Sequence, residues 1–546
     1  MDNKIKYAII AVVVILIAII AASSMLGNTS DDDPTHIVLT VPGHTGEPET
    51  GFNPLTGWGN GHLNFNPLVQ STLFGSDENG SFVNDLATDY SISSDRLTWT
   101  VKIRDDVKFT NGDKLTANDV AFTFNEAKVS DGELDLTNLE EAKAVDDTTV
   151  EFKLAKPQST FIYDLRYVGI VPEKDYNNET YGANPVGSGP YKLKQWDKGQ
   201  QAIFEYNDEY YGKEPYFKQI TMVFPEEDNV LQLVKSGEID VAEVPISAYG
   251  EEVEGYNLVE FESPRAQGFS LPYLPDTGLT TADAGSPIGN NVTSDPAIRK
   301  ALNIGINRQE IVESVYKGFG KPEYTGVDSL PFANEQAKVT DNQPDEAKKI
   351  LEEAGWVDTD GDGIREKDGV RASFEVYYPP NKQDRQSLAT IISEQAKDLG
   401  IEVVLQSADW DTIYTKMYSQ AVVMQQSSDN PYSAVYQQYH SKTPEELLDS
   451  DYRNPNAYNS SEVDAILDQG MNAGTLEDAY QYWSKAAYTG SGAGFGPNAD
   501  APWLWAADNH FGYFVKDDID MGTLSKLGQD YYCNILDWTR TTNSTS

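Results

Sequence analysis

VKIRDDVKFTNGDKLTANDVAFTFN, Val101 to Asn125, reads as a strand, a tight turn and a capped helix in direct succession. Leu97, Trp99, Val101 and Ile103 alternate with Thr98, Thr100, Lys102 and Arg104, the period of two that a strand with one buried face requires. Asn111-Gly112 supplies a turn, since both residues tolerate positive φ. Thr116 stands three residues before Asp119, a spacing at which hydroxyl and carboxylate satisfy two unpaired backbone N–H groups, so a helix is expected to start there and run through Val120 and Phe124. No group in the module does chemistry.

Outward from it, the chain alternates elements in the same manner. Strands are expected at 36–43, 238–244, 372–380 and 402–407, with helices around Val230–Val234 and at 344–356 and 386–401. A helical stretch over 295–318 carries a break near Ile306-Asn307. The first half is strand-rich and mixed; the second alternates strand and helix, the pattern of an α/β layer with a mainly parallel sheet. With 546 residues, more than one core is expected, because single cores stop growing near about 250–300 residues.

The formal charge of −45 repels phosphate backbones and argues against nucleic-acid binding. One cysteine, Cys533, excludes an internal disulfide framework and cysteine zinc sites. The run Tyr7–Ala22, preceded by Lys4 and Lys6, approaches the roughly 20 apolar residues that span a bilayer. Its flanks place the N-terminus inside and the rest outside, so an uncleaved anchor with an extracytoplasmic, cell-surface body is expected. A cleaved signal peptide is the alternative. Sequons at Asn79, Asn178, Asn291 and Asn459 would permit glycosylation there.

Catalytic signatures are sparse. The five histidines form no H-E-x-x-H pair, and there is no G-x-S-x-G elbow or phosphate-binding loop. DTDGDGIREKDG, 358–369, places Asp358, Asp360, Asp362 and Gly363 as in a calcium loop, but Gly369 stands where a bidentate Glu is needed, so a connection between helix and strand is the expected role. The missing motifs disfavour an enzyme, but carboxylates are so abundant that a catalytic pair cannot be told from surface charge, and a hydrolase stays open.

Taken together, IRDDVKFTNGDKLTANDVAFTF (103–124), NPVGSGPYKLKQW (184–196), LVKSGEIDVAEVP (233–245), DPAIRKALNIGINRQEIV (295–312) and EAKKILEEAGWVDTDGDG (346–363) resemble, in order, blocks of the peptide/nickel family of ABC-importer solute-binding proteins. The resemblance covers roughly 36–540. It implies an α/β, two-lobed periplasmic-binding-protein-like fold of the large type, here preceded by a transmembrane helix. The divisions expected are 1–33 anchor and linker, 34–275 lobe I with an inserted subdomain at about 68–184, 276–499 lobe II, and 500–546 returning to lobe I. It also implies a monomer that closes on a small peptide or nickel chelate and hands it to permease subunits served by ATPases. No cofactor is implied beyond a nickel chelate as transported ligand.

Peptide-binding relatives hold the peptide amine with an Asp in a Trp-x-x-Asp stretch. The corresponding stretch here, VVMQQSSDNPYSAVYQQYH (422–440), lacks the Trp and has Ser427 near that position, with Asp429 displaced and Tyr432 beyond it. By the same resemblance, Arg166 sits near the arginine that holds chelate carboxylates, with Lys128 the nearest cation to a second family arginine, and His440 is the candidate metal-ligating histidine. Trp58 and His62 fall in the Gly-rich loop that the family places at the cleft. Against these stand an ordinary salt bridge for Arg166 and a hydrogen-bonded surface histidine for His440. Trp503 and Trp505 are expected in a lobe core. Two other classes remain open: a surface solute sensor without import, and a secreted carboxylate-dependent hydrolase.

Overall fold

The computed structural model describes residues 33–40, 47–48, 50–56, 68–130, 135–449, 453–526 and 532–541. The apolar run 7–22, Trp58 and His62 lie outside these. Among the described residues, no helix is long and apolar enough to cross a membrane.

The opening module folds as its residues dictate. Thr98–Ile103 is a strand with Trp99, Val101 and Ile103 buried, and Gly112 turns the chain at φ +88°. Thr116 caps the helix Ala117–Ala127: its hydroxyl accepts the Asn118 N–H at 3.3 Å, and Asp119 accepts the Thr116 N–H at 2.8 Å. Such a cap contributes about 1 kcal/mol. Val120 and Phe124 then bury against an antiparallel sheet of order β4 (Ala87–Ile92), β5 (Thr98–Ile103), β7 (Thr149–Leu154), β6 (Leu139–Asp146). A short ribbon, β2 (Phe74–Ser76) with β3 (Phe82–Asn84), precedes this subdomain sheet.

The first lobe is built on a seven-stranded mixed sheet. Its members are β1 (His36–Thr40), β8 (Tyr191–Asp197), β9 (Gln201–Tyr206), β10 (Gln219–Val223), β11 (Val241–Val244), β12 (Tyr256–Phe261) and β21 (Phe511–Lys516), in the order β12-β21-β11-β1-β10-β9-β8. Gly187 is fixed by close approach: a Cβ there would lie 1.8 Å from the Val69 carbonyl oxygen.

The second lobe holds β13 (Ala266–Ser270), β14 (Gly320–Pro322), β17 (Ser373–Tyr378), β18 (Glu402–Ser407), β19 (Ala421–Gln426) and β20 (Trp503–Asn509), ordered β14-β20-β13-β19-β17-β18. Two small ribbons, β15 (Glu366–Lys367) with β16 (Val370–Arg371) and β22 (Ile519–Asp520) with β23 (Thr539–Arg540), complete the strands described. The mainly parallel sheet expected here is corrected to a mixed one. Only β17 pairs in parallel, with β18 and β19; β13 and β20 are the two strands of the interlobe crossing and pair antiparallel, and β14, which follows the helix Arg308–Val315, adds antiparallel to β20. Both faces of this sheet are covered: Val376 and Val423 pack on one side, Tyr377 and Val422 on the other. That is why AVVM reads as a continuous apolar run. The helix break falls as expected, between Pro296–Gly305 and Arg308–Val315, with Asn307 capping the second. Trp503 and Trp505 stack at 4.4 Å inside the second lobe's core.

The two sheets share one bent ribbon. β12 runs on into β13 while β20 runs back into β21, so the chain crosses at 262–265 on one strand and at His510 on the other. Phe261 pairs with Phe511 in the first sheet, and Ala266 with Asp508 in the second. Four residues on one strand therefore face two on the other, and this unequal count kinks the ribbon. Both β13 and β20 belong to the second-lobe sheet, although divisions at 275 and 500 would put them in the first.

Candidate functional site

Arg166 is presented by the helix Phe161–Tyr167, whose residues 161–165 are buried. It lies in the last turn, where the helix dipole favours a cation. Its guanidinium stands 5.1 Å from the Phe82 ring centroid and 5.0 Å from that of Tyr163, and it donates to Ser76 Oγ at 3.0 Å. From the second lobe, Asp429 meets it: Nη2 donates to Oδ1 at 2.8 Å and Oδ2 at 2.6 Å. Both side chains are largely covered, at 18% and 17% exposure, so this is a shielded ion pair across the cleft and not a surface bridge. Burial opposes the charge on Arg166, but Asp429 outweighs it and holds the guanidinium above its ordinary value.

Further contacts join the same two faces. The Tyr163 and Tyr480 hydroxyls lie 2.7 Å apart. Asp135 accepts from the Tyr432 hydroxyl at 3.1 Å and from Gln437 Nε2 at 3.3 Å, with Arg453 Nη1 at 3.6 Å. Burial, then the Asp135 charge, pushes the Tyr432 phenol up to about 12. Ser159 donates through Oγ to the Gly470 carbonyl at 2.8 Å and through its N–H to that of Met471 at 2.9 Å, while Arg96 reaches the Asn472 carbonyl. The lobes are thus drawn together on charged, hydroxyl and main-chain groups. Those groups can exchange for equivalent groups of a small polar solute.

Among the residues picked out from sequence, the structure unites Arg166 with Asp429 and places Tyr432 one turn further on. His440 is set apart from them. Ten residues of largely helical chain separate it from Asp429. Tyr432, Tyr436 and His440 form a ladder at i, i+4, i+8, with centroids 5.6 Å and 4.7 Å apart. At its end His440 Nδ1 lies 3.1 Å from the Ser441 carbonyl oxygen and Nε2 lies 3.5 Å from Asp468. Sequence reasoning did not single out Asp135, Tyr163 or Tyr480. Their partners lie 297 and 317 positions away along the chain, and no short motif marks them.

The loop 358–363 is the connection expected of it. Asp358 accepts from the Gly361 and Gly363 N–H groups at 2.7 and 3.0 Å, and Asp362 pairs with Arg371 at 2.6 Å. Asp358, Asp360 and Glu366 converge within 4.8 Å, exposed to half-buried. The carboxylates of Asp358 and Glu366 already serve as acceptors for backbone N–H groups of the same loop.

The model of a family described as bacterial extracellular solute-binding proteins, family 5 (middle), matches residues 81–446. The oligopeptide-binding protein AppA of Bacillus subtilis is 32% identical over 397 residues, 69% of this chain and 70% of that protein. The nickel-binding periplasmic protein of Escherichia coli is 28% identical over 366 residues, 64% of this chain and 67% of that protein. NikZ of Campylobacter jejuni, solved with Ni(L-His), superposes with a TM-score of 0.72 at 22% identity, covering 93% of this chain and all of that one, a likeness of fold.

Proposed function

Because the chain belongs to family 5 of the bacterial extracellular solute-binding proteins, we propose that it is the substrate-capture subunit of an ABC importer, closing its lobes on a small peptide and delivering it to membrane permeases. The observation that carries the peptide reading is the Arg166–Asp429 pair. A peptide is a zwitterion: its carboxylate can take the fork of Arg166 and its amine the carboxylate of Asp429, so ligand binding replaces one buried ion pair with two. Closure then gains whatever the ligand contributes beyond the pair it displaces. The aromatic walls Phe82, Tyr163 and Tyr480 would pack on the ligand.

A nickel chelate is the second reading, favoured by Arg166 and by the E. coli relative, with carboxylates of the chelate on Arg166 and His440 as the metal's imidazole. Arg166 is taken by Asp429 while His440 Nε2 faces Asp468, which weighs against one compact chelate touching both Arg166 and His440. Residues 1–22 would tether the body at the outer membrane face.

Calorimetric titration of the full chain in detergent, with nickel–histidine and with a mixed tri- to pentapeptide pool, separates these readings. Peptides are expected to bind the wild type. Arg166→Lys should weaken them at least about tenfold, since an ammonium cannot supply the bidentate pair, while His440→Ala should leave them nearly unchanged. Binding of nickel–histidine alone, lost in His440→Ala, would establish the chelate instead. Binding of neither would sink the capture reading.

A further inference from the structure

Where the bent ribbon crosses between lobes, a single buried histidine faces a carboxylate from each side. His510 is the crossing residue itself, 2% exposed at its side chain. Its Nδ1 lies 2.7 Å from Glu260 on β12, a first-lobe strand, and its Nε2 lies 3.8 Å from Asp508 on β20, a second-lobe strand. Asp508 also accepts the Arg265 N–H at 2.8 Å, and the Asn509 N–H donates to the Arg265 carbonyl at 3.0 Å, so the kink on both strands is tied to these same groups.

We propose that His510 is the positioning residue of the hinge: as an imidazolium it ties Glu260 of one lobe to Asp508 of the other and holds the lobes at their closed angle, and loss of its proton releases that tie. The inference needs two lobes and this hinge, and stands whichever ligand the cleft takes.

The surroundings fix the direction of the effect. Burial opposes the charged ring, but Asp508 and then Glu260 outweigh it and hold His510 above its ordinary value. A folded value raised in this way stabilises fully below the unfolded value of about 6.5 and is lost as pH rises through the folded one. Above that window Glu260 and Asp508 face a neutral ring, and the imidazolium no longer offsets their charges at the kink.

The other groups packed on the site do not replace the lost charge. Glu262 is engaged by Lys321 at 2.9 Å, which holds it below the usual range. Arg265 lies over the Phe511 ring at 4.5 Å. Burial pushes the Tyr249 phenol up, so it stays neutral while donating towards the His510 carbonyl at 3.4 Å. Glu323, fully buried, is held well above the usual carboxylate range by burial and then by the charges of Asp328 and Asp508.

Hydrogen exchange of the full chain in detergent tests this without a ligand. Between about pH 6 and pH 8.5, after correction for intrinsic exchange, protection of the cross-lobe segments 159–168 and 427–437 should fall about fivefold relative to the core strand 373–378. His510→Gln should abolish this pH dependence while the core strand stays protected. A wild type with no such fall, or the same fall in His510→Gln, would assign any effect to Glu323 or to none and overturn the proposal. If His510→Gln does not fold, Glu260→Gln decides: its midpoint should move to lower pH, and an unmoved midpoint overturns the proposal equally.

Discussion

Arg308→Met is expected to lower the stability of the second lobe by about 4 kcal/mol, the cost of stripping a buried network of its central donor. Arg308 is fully buried. Its Nε donates to the Glu323 and Trp505 carbonyls, both at 2.9 Å. Its Nη1 reaches the Asn303 carbonyl at 2.7 Å and its Nη2 the Asn303 side chain at 2.8 Å, with Asp341 at 3.4 Å. One side chain thus ties the end of one helix, the start of the next, the strand β20 and the residue that follows β14. Methionine keeps much of the volume, so the loss isolates the polar term from a cavity. The check is urea unfolding followed by tryptophan fluorescence, with Arg371→Met as comparison. Arg371 bridges half-exposed Asp362 and Glu402, and its loss should stay within about 0.5 kcal/mol. Equal midpoints for the two variants would show that the buried network contributes nothing beyond a surface bridge.

Salt is expected to act as strongly as that mutation. The chain carries 86 Asp and Glu against 41 Lys and Arg, an excess of 45 negative charges, and folding concentrates them. Screening shrinks from about 10 Å at 0.1 M to about 3 Å at 1 M, which removes repulsion faster than attraction when acids outnumber bases two to one. The melting midpoint should rise by roughly 5–10 °C from about 0.1 M to 2 M sodium chloride, and potassium chloride should reproduce the shift. A flat or falling midpoint would mean that paired charges, and not the excess, dominate the surface electrostatics.

Local elements were legible because their causes are local. The capping box of Thr116 and Asp119, the turn at Gly112 and the break at Asn307 each depend on residues a few positions apart, and each stands where the sequence places it. The paired lobes followed from the resemblance of five blocks along the chain; the family match bears out the resemblance, and the likeness to a solved structure bears out the fold. Arg166 and Asp429 could be named separately but not as a pair, since 263 positions separate them.

The rest is decided by tertiary structure. Strand direction in the second sheet depends on where β13 and β20 enter it, and an alternating apolar pattern is the same for either direction. Asp135 and Tyr480 became cleft residues only when the lobes met. His510 read as one unremarkable histidine among five; its burial between Glu260 and Asp508 exists because two strands with unequal numbers of residues bend at the same point. Sequence by itself determined what short-range geometry and side-chain chemistry dictate: the elements, the acidic surface, the family. Tertiary structure alone decided which charges face one another, because Coulomb and hydrogen-bond energies depend on distance in space, and separation along the chain does not encode it.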